Sequence, residues 1–340
     1  MEPLLEVKNL KIEFTTERGV IQAVRGVSFS VNPGETLALV GESGCGKSVI
    51  CKSILGVLHS RGRITEGEIL FEGRCISKLG ERGLAAIRGK EIGMVFQNPA
   101  AVLDPTLPIG KQLAEAVRAH TRLSRQACNA RVLELLSMVG IDRPEERIYS
   151  YPQEFSGGML QRVVIAIALA ESPKLLIADE PTTALDVTVQ AHILKLLADL
   201  QKKTGIAILF ISHDLGVVAQ VADRVAILYA GKVVESGTAE EVYTDPRHPY
   251  TWGLFRSLPC AASGGPLTPI PGQVPDLLCP PRGDAFAPRN EYALAVDFEE
   301  EPPFFHVEGS HYAATWLLHP DAPKIEPPVR IEKGEVLTNG

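Results

Sequence analysis

The stretch Gly41-Glu42-Ser43-Gly44-Cys45-Gly46-Lys47-Ser48 narrows the folds open to this chain more than any other. Gly41, Gly46, Lys47 and Ser48 stand at the spacing of a phosphate-binding loop. The apolar run Leu37-Ala38-Leu39-Val40 before it reads as a buried strand, and Val49, Ile50, Ile54, Leu55 and Leu58 after it recur at helical spacing. Strand, glycine loop and helix together point backbone N–H groups and a helix N-terminus at an anion. Without a Cβ at Gly41, Gly44 and Gly46, the backbone can wrap closely around phosphates. Lys47 then places a point charge on the β- and γ-phosphates, and the Ser48 hydroxyl is suited to Mg²⁺. The alternative is a glycine-rich turn that merely contains Gly-Lys-Ser, and the flanking strand and helix argue against it. The stretch implies a nucleotide-phosphate site.

From Leu4 to Val31 the pattern alternates in short runs, which predicts antiparallel strands closed by the turn Asn32-Pro33-Gly34. Gly67–Phe71 reads as a further strand of that small sheet, and Ile92–Gln97 as another strand. From about Pro105 to Val139 the period becomes helical, with Leu113, Val117, Val132, Leu135 and Leu136 as candidate buried positions. A second helix is expected over Gly158–Glu171. Apolar strands are expected at Leu175–Ala178, Ala207–Ile211 and Val225–Tyr229, separated by helices at 188–203 and 214–222. Alternating strand and helix implies a mostly parallel sheet with right-handed crossovers. The helical stretch, about 98–170, then reads as an insertion into an α/β core. After Tyr243 the texture changes, and more than half of the 25 prolines lie between Pro259 and Pro328. Loops and short strands are expected there, with a domain boundary near Asp245 that divides residues 1–245 from 246–340.

Three further motifs carry chemistry. Leu175–Asp179 is an apolar strand ending in Asp179-Glu180, so Asp179 would reach a Mg²⁺ shell and Glu180 would orient and activate a water for attack on the γ-phosphate. Alone, such a run reads equally well as a capped strand; beside a phosphate loop it points to phosphoryl chemistry. His213, after the strand at 207–211, is placed for the γ-phosphate and the attacking water, although a lone His in that position is more often structural. Phe155-Ser156-Gly157-Gly158-Met159-Leu160-Gln161-Arg162 opens a helix with Ser-Gly-Gly, a second anion site or an ordinary N-cap. Two phosphate-binding surfaces in one chain suggest a dimer that shares each nucleotide.

The bounds from composition agree. A net charge of −7 argues against a dedicated nucleic-acid binder, which would carry a basic stripe. The six cysteines are scattered without a close pair, as in a reducing compartment rather than a disulfide framework. No basic segment followed by an apolar core opens the chain, so no secretory signal is expected. No apolar run approaches the ~20 residues that cross a bilayer. In a membrane process this chain would be a peripheral subunit.

In this order the motifs resemble the ATP-binding subunits of ABC transporters, over residues 1–250. Gly41–Ser48 is similar to the Walker A loop, Gln97 to the Q-loop glutamine and Ser156–Gln161 to the family signature. Leu175–Asp179 is similar to Walker B, Ala184-Leu185-Asp186 to the D-loop and His213 to the switch histidine. The signature opens with Phe155 where leucine is usual. The resemblance implies an ABC-type P-loop ATPase: a RecA-like α/β core with an antiparallel β subdomain, a helical insertion and a small proline-rich C-terminal domain. It implies ATP held by Phe14 against the adenine, by Gly41, Ser43, Gly44, Cys45, Gly46, Lys47 and Ser48, and by Ser156, Gly157, Gly158, Gln161 and Asp186. It implies Mg²⁺ at Ser48, Gln97 and Asp179, and catalysis by Glu180, His213 and Gln97.

Within that family, Phe96-Gln97-Asn98-Pro99, Leu103-Asp104-Pro105, His248-Pro249-Tyr250-Thr251 and Pro271-Gly272-Gln273-Val274-Pro275 resemble the oligopeptide, dipeptide and nickel importer ATPases. The resemblance implies two membrane-spanning permease subunits, a second, non-identical ATPase subunit and an extracytoplasmic solute-binding protein, at the cytoplasmic face of the membrane. A nickel or metal-chelate importer is the nearest alternative. A soluble ABC protein acting on ribosomes or DNA would carry two cassettes or a long coiled coil, and no internal repeat is present. A non-hydrolysing regulatory subunit would lack the base, whereas Glu180 and His213 are both here. Many relatives hold an iron–sulfur cluster on four tail cysteines. Here the frame Gly283-Asp284-Ala285-Phe286-Ala287-Pro288-Arg289-Asn290, with Asp297 and Thr315, has Asp284, Asn290, Asp297 and Thr315 in those places. No cluster is expected, and a hard cation on these oxygens is a weak alternative. The tail is expected to pack on Phe286, Tyr292, Phe304, Phe305 and Trp316.

Overall fold

The computed structural model describes residues 2–183, 185–258, 269–332 and 335–338. Ala184 of the expected D-loop and Cys260 lie outside the described residues. The chain falls into two compact units: Met1–Leu5, Val31–Thr36 and Phe71–Ile211 form one, and Glu6–Ser30, Leu37–Leu70 and Ser212–Gly340 the other.

The first unit is built on three parallel strands. Ile92–Val95 pairs with Leu175–Asp179 from Ile92↔Leu175 to Val95↔Ala178, and Leu175–Asp179 pairs with Ala207–Ser212 from Leu175↔Ala207 to Asp179↔Ile211. Leu175, Leu176, Ile177, Ala178 and Leu209 are wholly buried. A strand covered on both faces reads as a continuous apolar run, which is why these segments stand out in the sequence. The strand expected over Ile92–Gln97 stops at Val95, leaving Gln97 beyond the pairing.

The helical stretch of this unit is two main helices rather than one. Ile109–Arg118 and Arg125–Met138 are separated by a loop, and Ser124 restarts the second by accepting the Ala127 N–H at 3.2 Å. Leu113, Val117, Val132, Leu135 and Leu136 are all buried, so the apolar period is right although the boundary was invisible to it. Helices Gly157–Ala168 and Val187–Thr204 complete the unit. A Cβ on Gly158 would come within 2.4 Å of Val189 Cγ1, so the second helix can approach only because that position is glycine.

In the second unit, strands Leu5–Thr16, Gly19–Val31 and Gly62–Phe71 form an antiparallel sheet with Leu5–Thr16 in the middle. The last strand begins five residues earlier than Gly67, the start the sequence suggests. Thr36–Val40 pairs in parallel with Arg224–Tyr229, from Leu37↔Arg224 to Val40↔Ile227. Arg224–Tyr229 pairs antiparallel with Lys232–Thr238, on which His311–Ala313 and then Phe305–Glu308 add further antiparallel strands. The boundary expected near Asp245 therefore falls inside one unit.

Two further differences concern helices. The segment after His213 is a single turn, Leu215–Val218, not 214–222; Asp214 caps it by accepting the Gly216 and Val217 N–H groups. Helix Ala239–Thr244 ends just short of the expected boundary, and helix Pro249–Arg256 opens the tail where only loops and short strands were expected. Each carries its own start signal, a Thr238/Glu241 capping box and Pro249 at the first helical position.

Candidate functional site

The phosphate-type loop lies in the second unit. It leaves the buried strand Thr36–Val40 and enters helix Lys47–Ile54. Gly41 has φ +157°, and a Cβ there would lie 2.2 Å from the Leu228 carbonyl oxygen. Gly46 caps the helix at φ +105° and would meet the Ala23 carbonyl at 2.7 Å. Neither place admits a side chain, so the loop is a backbone cradle. Lys47 is 4% exposed. Its ammonium donates to the carbonyls of Gly41 at 2.6 Å and Glu42 at 2.9 Å. Cys45, within the loop, is buried, and desolvation pushes its thiol up despite the neighbouring Lys47. Ser43 and Gly44 are exposed, Ser48 is half-buried and His213 is exposed. Phe14 is half-buried on its strand; a Cβ at Gly62 would sit 2.5 Å from its ring, so glycine makes room for the aromatic.

The first unit holds the carboxylates. Asp179 is 6% exposed at the end of Leu175–Asp179. Glu180 follows in the left-handed region, φ 48°. A glutamate there costs about 1–2 kcal/mol relative to right-handed backbone, strain of the kind that accumulates at functional positions. The conformation is held by the Glu180 N–H, which donates to the Ile211 carbonyl at 3.0 Å. Its Oε2 accepts from Gln97 Nε2 at 2.9 Å and from Thr183 Oγ1 at 2.9 Å. Gln97 and Glu180, 83 residues apart, are thus brought into contact.

Ser156 caps helix Gly157–Ala168 by accepting the Met159 N–H at 3.3 Å, which leaves Ser156 and Gly157 exposed at a helix N-terminus. Gln161 is 1% exposed, and its Nε2 has no hydrogen-bond partner. Asp186 caps Val187–Thr204 through the Val189 N–H at 2.9 Å. The N-cap reading and the anion-site reading of Ser156 describe the same geometry, since a cap side chain satisfies one N–H and others stay directed outward.

Sequence reasoning missed the surroundings of Glu42. Its N–H donates to the Tyr250 hydroxyl at 2.8 Å. Its carboxylate accepts both arms of Arg289, at 2.7 and 3.1 Å. Arg289 lies 247 residues away on the turn Ala287–Arg289. No local pattern could have paired the two.

The four tail positions that resemble cluster ligands each accept a nearby backbone N–H. Asp284 takes that of Phe286 at 2.9 Å, Asn290 that of Tyr292 at 2.9 Å, Asp297 that of Leu294 at 2.6 Å and Thr315 that of Leu317 at 3.3 Å. Among the described residues, no three of His, Cys, Asp and Glu come together as a metal site. Phe286 packs edge-on or tilted against Tyr229 and Tyr250 at 5.2 and 5.4 Å between centroids, Tyr292 edge-on against Trp252 at 5.4 Å, and Phe305 edge-on against Trp316 at 6.2 Å. Phe304 departs from expectation: it is 50% exposed and, with Asp284, lines a cavity of about 300 Å³.

Burial pushes the Asp284 carboxyl up to about 6, with nearby Asp297 and Glu301 adding to the effect and the Phe286 N–H and Lys232 opposing it. A raised carboxyl stabilises the fold most below its unfolded value, and that stability is lost as pH rises through about 6. Asp284→Asn keeps the turn and removes the charge. Its melting temperature should exceed wild type by several degrees at pH 8, on the order of 2 kcal/mol, and the gap should close by pH 4. Thermal melts across that range check it; a gap independent of pH would show the carboxylate to be unstrained.

Comparison with known proteins identifies the family. Residues 24–183 match the ABC transporter family, and residues 234–296 match the oligopeptide/dipeptide transporter C-terminal region. The chain is 58% identical over 332 residues to the oligopeptide transport ATP-binding protein OppD of Bacillus subtilis, covering 97% of this chain and 93% of that one. It is 54% identical over 328 residues to the dipeptide transport ATP-binding protein DppD of Lactococcus lactis, covering 96% and 94%. A dimeric bacterial ABC transporter cassette superposes with TM-score 0.62 at 29% identity, over 69% of this chain and 98% of that one. The same cassette solved with ADP and Pi gives the same values. The fold and site define an ABC-type ATP-binding cassette. The chain belongs to the oligopeptide/dipeptide transport ATP-binding family of ABC transporters.

Proposed function

We propose that this chain is the ATP-hydrolysing subunit of a membrane importer of peptides or related small solutes. The observation that carries the reading is the backbone cradle around buried Lys47, in a chain similar along nearly its whole length to peptide-transport ATPases. The phosphates of ATP bind along Gly41–Ser48, and Phe14 stacks on the adenine. Hydroxyl, amide and carboxylate oxygens suit a hard cation, so Ser48, Gln97 and Asp179 would hold Mg²⁺, which offsets charge on the phosphates. Glu180 takes the proton of the attacking water as the new P–O bond forms and the bond to the ADP oxygen breaks. Gln97, through its bond to Glu180, holds that carboxylate in place, and His213 contacts the γ-phosphate. Ser156, Gly157, Gly158, Gln161 and Asp186 serve the nucleotide of a second ATPase subunit, a related but non-identical chain.

Among the described residues no helix is long and apolar enough to cross a membrane. In this reading the subunit works peripherally, on the cytoplasmic face of two permease subunits supplied by an extracytoplasmic solute-binding protein. Purification from membranes tests this directly. Two membrane-spanning proteins and a second ATPase should accompany the chain, whereas ribosomes or DNA in their place would overturn the reading.

The tail residues do not fit an iron–sulfur cluster. Oxygen ligands hold such units poorly, and Asp284, Asn290, Asp297 and Thr315 are each engaged in closing a turn. Anaerobically purified protein should be colourless and free of iron and sulfide; stoichiometric iron with a charge-transfer band would sink the idea.

A further inference from the structure

Glu42 is an awkward residue for a loop that receives polyphosphate. A carboxylate within the loop repels the ligand unless its charge is answered nearby. The answer comes from the C-terminal segment. Arg289 is 5% exposed at its side chain and Glu42 28%, so the pair sits largely out of water. The guanidinium is fully committed: Nη1 and Nη2 fork onto the two carboxylate oxygens at 2.7 and 3.1 Å, and Nε donates to the Pro271 carbonyl at 2.7 Å. Nη1 also reaches the Tyr229 hydroxyl at 3.2 Å. A planar fork on a carboxylate fixes direction as well as distance.

Glu42 is held at two other points. Its N–H donates to the Tyr250 hydroxyl, and its carbonyl accepts from Lys47. Tyr250 is wholly buried against Tyr229, 4.6 Å between ring centroids, so its hydroxyl cannot wander. We infer that Arg289 is a positioning residue for the phosphate loop. With Tyr250 it clamps Glu42 and neutralises its carboxylate, so that nucleotide affinity at Gly41–Ser48 depends on the C-terminal segment. The inference rests on the reading of that loop as the ATP site.

The two effects make separable demands. Arg289→Met leaves a bare carboxylate beside the phosphates and should weaken binding of a non-hydrolysable ATP analogue about tenfold, more at low salt than at high. The KM for ATP should rise to match, with kcat at saturating ATP within about twofold of wild type, because the residue touches no reacting atom. Glu42→Gln added to Arg289→Met removes the uncompensated charge and should recover most of the lost affinity. A residue that merely supported the fold would give no such recovery. Tyr250→Phe, which deletes only the hydroxyl, should weaken binding a few-fold and lower melting by only a few degrees, and it carries the test if Arg289→Met does not fold.

The measurement is analogue titration of the full-length chain, with Lys47→Ala beside it. Wild-type affinity in folded Arg289→Met or Tyr250→Phe, while Lys47→Ala has lost binding, would overturn the inference and leave the site reading standing. A double variant as weak as Arg289→Met would also overturn it. Undiminished binding by Lys47→Ala would instead remove the ATP site beneath it.

Discussion

Glu180→Gln is expected to bind ATP as tightly as wild type and to hydrolyse it about 10²–10⁴-fold more slowly, the usual effect of removing a general base. The substitution is close to isosteric. The backbone N–H bond to Ile211 is unaffected, and an amide oxygen can still accept from Gln97 or Thr183 at the 2.9 Å now spanned by the carboxylate. Melting should therefore shift little. Mixed with its partner ATPase subunit, the variant should accumulate as an ATP-bound closed pair if hydrolysis is what reopens it. Single-turnover hydrolysis and gel filtration in ATP measure both effects, and near-normal turnover would remove Glu180 from the role. The left-handed backbone at φ 48° sharpens the expectation. Asparagine or glycine would sit there at lower cost, so a glutamate retained against that cost points to its carboxylate.

Lys47→Ala acts at the opposite end of the reaction. Lys47 is 4% exposed, and its ammonium donates to the Gly41 and Glu42 carbonyls at 2.6 and 2.9 Å. On nucleotide binding those contacts are exchanged for phosphate oxygens, whose charge makes the bonds stronger. Losing two charge-assisted bonds, about 1.5–3 kcal/mol each, should cost on the order of 100-fold or more in affinity. Isothermal titration with MgATP measures it. Fold should survive, since Gly41 and Gly46 shape the loop through backbone packing rather than through the lysine. Full affinity in the variant would refute the phosphate-loop reading.

The two substitutions also separate the roles that motif chemistry assigns to Lys47 and Glu180. Glu180→Gln should split kcat from KM, and Lys47→Ala should move affinity. A chain in which both lowered affinity alike would point to a binding module rather than a motor.

Much of the architecture was legible because its cause is local. Strands such as Leu175–Asp179 and Ala207–Ser212 announce themselves as unbroken apolar runs, for both faces are covered. Leu113, Val117, Val132, Leu135 and Leu136 mark one buried helical face by period alone. Periodicity could not show the break at Ala119–Ser124, since the apolar spacing continues on either side of it. Nor could it show that 214–222 shrinks to Leu215–Val218. In the tail, prolines masked the helix Pro249–Arg256, where Pro249 is a start signal rather than a breaker. Phe304 looked like core, but half of it remains exposed because core membership depends on what the fold brings over a residue.

The amino-acid sequence by itself determined the alternation of strand and helix in the core and the chemistry of the motifs, because glycine spacing, apolar runs and capping residues act within a few residues of themselves. Only the tertiary structure decided the contacts that span the chain. It set Gln97 against Glu180 and twisted Glu180 into left-handed backbone through the Ile211 carbonyl. It gathered residues on both sides of Asp245 into one unit, and it closed Arg289 onto Glu42 across 247 residues. Those pairings depend on strand register and on which side chains share a buried volume, and neither leaves a pattern in the local run of residues.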